Sequence, residues 1–265
     1  MTHVAKLESV WPTDVSLAVI SDIHLKDMDD NRGSLLLKTI EQLTSLPLNT
    51  FVLLGDIFDF TLGSNAYYKR KFKGLGVALS KLAASGKKVI FFEGNHEFEL
   101  AKYKWDGVQF VSSGDLKVDF GGGDSIILTH GDMLYNSWVY RTFRYVVKSK
   151  PVTGVATFTP GRFLDRLTLK SSELSRAQDV NRTMDHENLL LSANRWVDES
   201  DCTHGIFGHF HVPYAESRTG GSGKVVSMDC WDKPNLLLFS NGDFYRIFLE
   251  EELNLKRTHS YFQNG

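Results

Sequence analysis

Residues 15–24 read Val15-Ser16-Leu17-Ala18-Val19-Ile20-Ser21-Asp22-Ile23-His24, a short apolar, β-branched run that stops on a carboxylate and an imidazole. A run of that length and composition predicts a buried strand. The pattern recurs at Phe51–Leu54 before Gly55-Asp56-Ile57-Phe58-Asp59, and at Lys88–Phe92 before Glu93-Gly94-Asn95-His96-Glu97. Between these runs, Ser34–Leu46 has helical spacing ended by Pro47, and Ala66–Ala84 predicts a helix closed by Gly86. Strands alternating with helices make this an α/β chain, and the polar cluster after each strand is where open α/β sheets collect ligands.

From Leu116 the texture changes to short strands, with Gly121-Gly122-Gly123-Asp124 as a hairpin turn before Ser125–Thr129 and the loop His130-Gly131-Asp132. A mainly helical stretch from Trp138 to about Val197 follows. Then come Gly205–Gly208 with His209-Phe210-His211, and strand-like runs at Lys224–Met228, Leu236–Phe239 and Phe244–Leu249. Gly220-Gly221 and Asn241-Gly242 are the expected turns between them. The order predicts two sheets packed face to face with helices outside. With no repeat or linker, residues 1–265 are expected to form one domain carrying a helical insertion at 134–200. The polar tail after Leu253 is expected to fray.

A chain of 265 residues buries a large core without cross-links. Its two cysteines, Cys202 and Cys230, lack paired metal-ligand spacing and suit a reducing compartment. A net charge of -2 removes the basic excess that nucleic-acid binding usually shows, so no nucleic-acid partner is expected. Met1–Trp11 carries no apolar signal core, and no run approaches the roughly 18 apolar residues of a spanning helix. The expected location is cytoplasmic.

Each polar cluster alone is ordinary turn chemistry, because Gly, Asn and Asp tolerate left-handed backbone and a lone histidine is usually a core residue. Together they carry more: separate loops, each ending an apolar run, present imidazole, carboxylate or carboxamide beside a glycine. Mixed nitrogen and oxygen donors without nearby thiolates suit first-row divalent metals. Two ions roughly 3.5–4 Å apart are the natural use for so many donors, since such a pair clamps an in-line phosphoryl displacement.

The ordered set Asp22-x-His24, Gly55-Asp56-x-x-Asp59, Gly94-Asn95-His96-Glu97, His130-Gly131-Asp132 and Gly208-His209-x-His211 resembles the calcineurin-like metallophosphoesterase signature. The resemblance implies a four-layer α-β-β-α sandwich of two mixed sheets. It also implies that Asp22, His24 and His211 hold one metal, that Asn95, His130 and His209 hold the other, and that Asp56 bridges them. Two divalent ions are implied, manganese first, with iron, zinc or nickel as alternatives. His96 would contact phosphate or protonate the leaving group, with the Asp59 carboxylate orienting it or merely closing a turn, and Asp132 would hold a ligand histidine in place. The expected chemistry is in-line attack by a metal-bridging hydroxide, without a phosphoenzyme.

The loop after Asp56 lacks the arginine usual in protein Ser/Thr phosphatases. The start Ile20-Ser21-Asp22-Ile23-His24-Leu25 and the helical insertion look like the bacterial UDP-2,3-diacylglucosamine pyrophosphatase branch, which makes lipid X and UMP on the lipid A pathway. That branch commonly has arginine where this chain has His96, so a phosphodiesterase or phosphomonoesterase with another substrate stands as the alternative. A non-catalytic scaffold is the remaining one, against which the intact donor set argues. In the insertion, Trp138, Phe143 and other aromatics mix with Arg141, Arg144, Lys148 and Lys170. Trp138, Phe143, Arg141 and Arg144 are expected to seat acyl chains and phosphates of a phosphorylated small-molecule or lipid-nucleotide substrate, with peripheral contact at the inner membrane. The competing reading makes the aromatics a buried helix face and the bases its solvated side. Trp231 is expected either to border the site or to pack in the core. Oligomeric state is left open.

Overall fold

Alternate residues of β1 (Val15–Ile20) face two different cores, as the period of two requires. The computed structural model describes residues 7–135, 138–168, 186–218, 223–249 and 257–258. Leu17 and Val19 join Val52, Ile90, Leu237 and Phe239 in an apolar cluster with Ile126, Leu128, Ile206 and Val226. Ala18 and Ile20 join Phe51, Phe91, Leu36, Ile40, Leu79 and Leu82 in another.

The first cluster lies between two sheets. One has seven strands in the order β14-β13-β12-β1-β2-β4-β6, and the other has five in the order β10-β11-β9-β8-β7. In the first, β1 pairs in parallel with β2 (Leu48–Leu53), β2 with β4 (Lys88–Phe92) and β4 with β6 (Val108–Val111). On its other side β1 runs antiparallel to β12 (Asn235–Ser240), followed by β13 (Asp243–Phe248). In the second, β8 (Asp124–Thr129) is parallel to β9 (His204–Phe207) and β9 to β11 (Lys224–Ser227), while β7 (Leu116–Gly121) and β10 (Tyr214–Ser217) are antiparallel edges. A two-stranded ribbon, β3 (Thr61–Leu62) with β5 (Glu97–Phe98), is separate.

Helix α1 (Asn31–Leu43) covers the outside of the larger sheet, starting three residues before the expected Ser34 because the Asp30 side chain caps it, accepting from the Gly33 N–H at 2.7 Å. The single helix expected over Ala66–Ala84 is two, α2 (Ala66–Lys71) and α3 (Lys73–Ala84). Phe72 takes a non-helical turn (φ −104°, ψ 16°) that seats its ring 4.1 Å from the Phe58 ring, fully buried. Both helices bury the same side, so the apolar spacing ran through the break.

Between β8 and β9 come α4 (Trp138–Val147), α5 (Lys150–Phe158), helical residues 161–168 and the helix His186–Glu199. The last packs Leu189, Ala193 and Val197 on Ile127, Phe207 and Val225. It is therefore the outer layer over the smaller sheet, and the layers run α-β-β-α. Asp165 fixes residues 161–168 to α2, accepting from Tyr67 and Tyr68 hydroxyls at 2.8 Å each and from Lys71 at 3.0 Å. Asn241-Gly242 forms the expected turn with both φ positive, 50° and 78°. Gly220-Gly221 and Lys170 lie outside the described residues. Of the tail expected to fray, β14 (Arg257–Thr258) pairs with β13 instead, its backbone completing the open edge, and the rest lies outside the described residues.

Candidate metal centre

The carboxyl ends of the parallel strands in both sheets meet at one place. Asp22 and His24 follow β1, Asp56 follows β2, Asn95 and His96 follow β4, His130 follows β8, and His209 and His211 follow β9. Main-chain bonds tie these turns together: Asp22 N–H to Gly55 O at 3.1 Å, His24 N–H to Asp56 O at 3.0 Å, Gly208 N–H to His130 O at 2.9 Å. The His209 N–H donates to Asp22 Oδ2 at 3.1 Å. Asp22, His24, Asp56, His209 and His211 all have φ between 50° and 72°. Left-handed backbone at so many non-glycine residues is costly and collects where a site demands it.

Glycines beside these residues make the approach possible. A Cβ on Gly94 would lie 2.2 Å from Asp56 Oδ1, and one on Gly208 would lie 2.6 Å from Asp22 Oδ2.

The donor atoms converge in three overlapping groups that can each hold a metal ion: Asp22, His24 and His211; His24, Asp56 and His96; Asp56, His130 and His209. His211 Nε2 is 3.2 Å from Asp22 Oδ1 and 3.3 Å from His24 Nε2. His130 Nε2 is 3.5 Å from Asp56 Oδ2 and 3.1 Å from Asn95 Oδ1. His130 Nδ1 lies 2.9 Å from the Leu54 carbonyl, which can only accept. Nδ1 therefore carries a hydrogen, so that when the ring gives up its other proton the Nε2 lone pair faces the centre.

Burial raises the cost of charge on Asp22, and the His211 and His130 partners more than offset it, holding its carboxyl below the usual range. Asp56 is held well below that range against the same burial cost by His130, His96 and His24. Burial pushes His24 and His209 down to about 4. His130 is also opposed by burial, but Asp56 and Asp22 carry it up to about 10. Two desolvated carboxylates thus face imidazoles of which two resist protonation. Buried anions need paired charge, and nitrogen and oxygen donors at these spacings fit divalent cations.

The calcineurin-like phosphoesterase family model matches residues 15–213. The chain belongs to that family. It is 28% identical over 197 residues to the UDP-2,3-diacylglucosamine hydrolase of Haemophilus ducreyi, covering 72% of this chain and 82% of that one. It is 27% identical over 194 residues to the enzyme of the same name from Ralstonia nicotianae, covering 69% and 72%. The Aliivibrio fischeri enzyme of that name is 24% identical over 86% of this chain and 95% of its own. Among solved structures, a dimetal phosphatase from Danio rerio aligns with 91% of this chain and 98% of its own at 12% identity and a TM-score of 0.46, too distant to bear on function. The protein is a metal-dependent phosphoester hydrolase, and its family implies divalent metal ions.

Asp22, His24, Asp56, Asn95, His96, His130, His209 and His211 of the phosphoesterase are all brought together. Asp59 meets His96 through its main-chain carbonyl, 2.8 Å from Nδ1, where the sequence pointed to its carboxylate. Asp132 forms ion pairs with Arg144 and accepts from the Tyr140 hydroxyl at 3.3 Å. Trp231 is both things expected of it: its ring is buried in the core with the indole N–H donating to the Asn235 carbonyl at 2.9 Å, and its main-chain N–H donates to the Asp22 carbonyl at 3.1 Å.

The helices after His130 fit the reading of buried aromatics and solvated bases only in part: Tyr140 turns its hydroxyl to buried Asp132, and Lys150, Arg162 and Arg166 are exposed. Trp138, Phe143, Tyr145 and Phe158 are 76%, 63%, 80% and 89% exposed, while Arg144 and Lys148 turn inward to Asp132 and Glu93. Arg141 is exposed. Two residues hold the frame of the site without having stood out in the sequence. Buried Glu97 accepts from the N–H groups of Asp56, Ile57, Phe58 and Gly94 at 2.8–3.2 Å, framing two turns at once. Its place at the end of Gly94-Asn95-His96-Glu97 was the available signal. Lys148 was read as one more lid base, and nothing in the sequence set it apart.

Proposed function

We propose that the phosphoesterase hydrolyses a phosphate ester or pyrophosphate bond at two divalent metal ions. Asp22, His24 and His211 hold one ion, Asn95, His130 and His209 the other, and Asp56 stands between them. The observation that carries this reading is the position of Asp56, whose carboxylate belongs to groups on both sides, with His24 and with His130 and His209. Bound there, the ions supply Lewis acidity toward phosphoryl oxygens and a more acidic water.

The protein's own groups prepare the rest. The Nδ1 hydrogen bond to Leu54 fixes the His130 tautomer. His96 is held in the same way by the Asp59 carbonyl, which leaves its Nε2 facing the centre, 3.9 Å from Asp56 Oδ2. A histidine so oriented can pass a proton to a departing oxygen. The His96 N–H also donates to Asp56 Oδ1 at 3.0 Å, so the proton donor and the central carboxylate share one frame.

For substrate, the names of the relatives and the exposed apolar face of α4 and α5 support an acylated nucleotide-sugar diphosphate, UDP-2,3-diacylglucosamine giving lipid X and UMP. In this reading Trp138 and Phe143 meet acyl chains, Arg141 meets phosphate, and the same face rests on a membrane surface. Manganese is the proposed ion. The second reading, a phosphodiesterase or phosphomonoesterase of other specificity, is favoured by His96 at the position where the resembling branch commonly has arginine. The deciding experiment compares UDP-2,3-diacylglucosamine with bis-p-nitrophenyl phosphate, with added manganese and a chelator control. UMP release far faster than ester cleavage supports the first reading. Ester cleavage alone moves the substrate elsewhere.

A further inference from the structure

Helix α4 is amphipathic in an inverted sense. Trp138, Phe143 and Tyr145 face outward, while Tyr140 turns its hydroxyl inward to Asp132. The two inward cations, Arg144 within α4 and Lys148 just after its last residue Val147, lie one turn apart. Lys148 Nζ sits 2.7 Å from the Gly94 carbonyl, 2.8 Å from the Glu97 carbonyl and 3.0 Å from Glu93 Oε1. An ammonium has three N–H donors, and each finds an acceptor here. The two carbonyls bracket Asn95 and His96, one residue before and one after. Glu93 is itself buried, its other oxygen accepting from the Leu100 N–H at 3.0 Å. Arg144 pairs with buried Asp132, two residues beyond His130. Between the two gripped turns, Asn95 Oδ1 and His130 Nε2 stand 3.1 Å apart.

We propose that Lys148 and Arg144 are positioning residues: α4 holds the Asn95 turn with one and the His130 turn with the other, and so sets the affinity of the metal position that Asn95, His130 and His209 form. The inference rests on the two-metal reading. It assigns α4 an influence on that position alone, because neither cation contacts the turns of Asp22, His24 or His211 among the described interactions. Lys148 is accordingly part of the frame behind the site, and its charge is spent on Glu93 and two carbonyls, away from substrate.

The test is manganese binding to the full chain by calorimetry and electron paramagnetic resonance, for wild type, Lys148→Met, Lys148→Arg and Arg144→Gln. Removing a group that orients metal ligands typically costs about 10- to 100-fold in affinity. Wild type is expected to bind two ions with spin coupling between them. Lys148→Met is expected to keep one tight ion, weaken the second by at least about tenfold and lose the coupled signal. Its kcat should fall at limiting metal with little change in KM, and Lys148→Arg should recover part of the affinity. Arg144→Gln, whose partner Asp132 keeps the Tyr140 hydroxyl, carries the same test where Lys148→Met does not fold.

Asp165→Asn loosens residues 161–168 from α2 without touching either turn among the described interactions, and is expected to keep both ions. Second-ion affinity unchanged in both Lys148→Met and Arg144→Gln, or lost equally in Asp165→Asn, overturns the inference while leaving the two-metal reading in place. Wild-type protein that binds a single ion overturns that reading and the inference with it.

Discussion

Nε2 of His24 lies 3.3 Å from Nε2 of His211. Two neutral imidazoles cannot aim lone pairs at one another without a proton or a cation between them. Burial drives His24 down to about 4, while against the same burial cost Asp22, its Oδ1 3.2 Å from His211 Nε2, raises His211 above its ordinary value, so without metal the proton rests on His211. A divalent cation held by the three donors would replace that proton. Manganese at a hundred times its dissociation constant is expected to raise folding stability by about 2.7 kcal/mol per site. Thermal unfolding with and without the ion measures this, and an unshifted midpoint contradicts it. His211→Ala should reduce the shift.

Proton release reports on the other position. In the metal-free protein His130 stands at about 10, above its ordinary value of about 6.5. Its raised value adds stability that is fully present below about pH 6.5 and is lost as pH rises through about 10. His24 and His209, at about 4, shift the opposite way. The unfolded chain binds their protons first, so they subtract stability as pH falls from about 6.5 toward 4. At pH 8, metal loading is therefore expected to expel at least about one proton per chain, from His130, with any proton that raised His211 holds adding to it, and affinity should strengthen as pH rises toward 10. Calorimetry in buffers of different ionisation enthalpy counts the protons. A count of zero is the contrary result.

Gly94 is fixed by contact. Because a Cβ there would stand 2.2 Å from Asp56 Oδ1, Gly94→Ala must displace the central carboxylate or the Asn95 turn. Misplacement of about 1 Å in a site of this kind can cost on the order of 100-fold in rate. Gly94→Ala is expected to lower kcat/KM by that order while the far-ultraviolet spectrum stays native. Wild-type kcat/KM would place the carboxylate elsewhere.

The exposed aromatics of α4 and α5 pack on nothing among the described residues that their loss should unfold. Trp138→Ser and Phe143→Ser are expected to change stability by within about 0.5 kcal/mol, as surface substitutions do. They should lower kcat/KM for an acylated substrate and leave a soluble nitrophenyl ester unaffected. Equal rates on both substrates would reduce these side chains to bare surface.

The parallel strands and their terminal donors were legible because two signals coincide in the chain, an apolar run of strand length and a polar cluster at its end. Asp22, Asp56 and His130 each sit at such a junction. What escaped depends on tertiary contact. The break at Phe72 follows from the ring of Phe58, which lies far back in sequence. The orientation of α4 is set by Asp132 and Glu93, so spacing alone could not separate Lys148 from the solvated bases around it. The same limit hid the Asp59 carbonyl, since a residue's letter gives its side chain and His96 is held by the main chain.

The most direct test of the central claim is hydrolysis of bis-p-nitrophenyl phosphate by wild type and Asp56→Asn, each stripped with chelator and then given manganese. Wild type is expected to lose turnover on stripping and regain it with metal, while Asp56→Asn stays near background throughout. Turnover that survives the chelator, or that returns undiminished in Asp56→Asn, would contradict a metal centre built around Asp56.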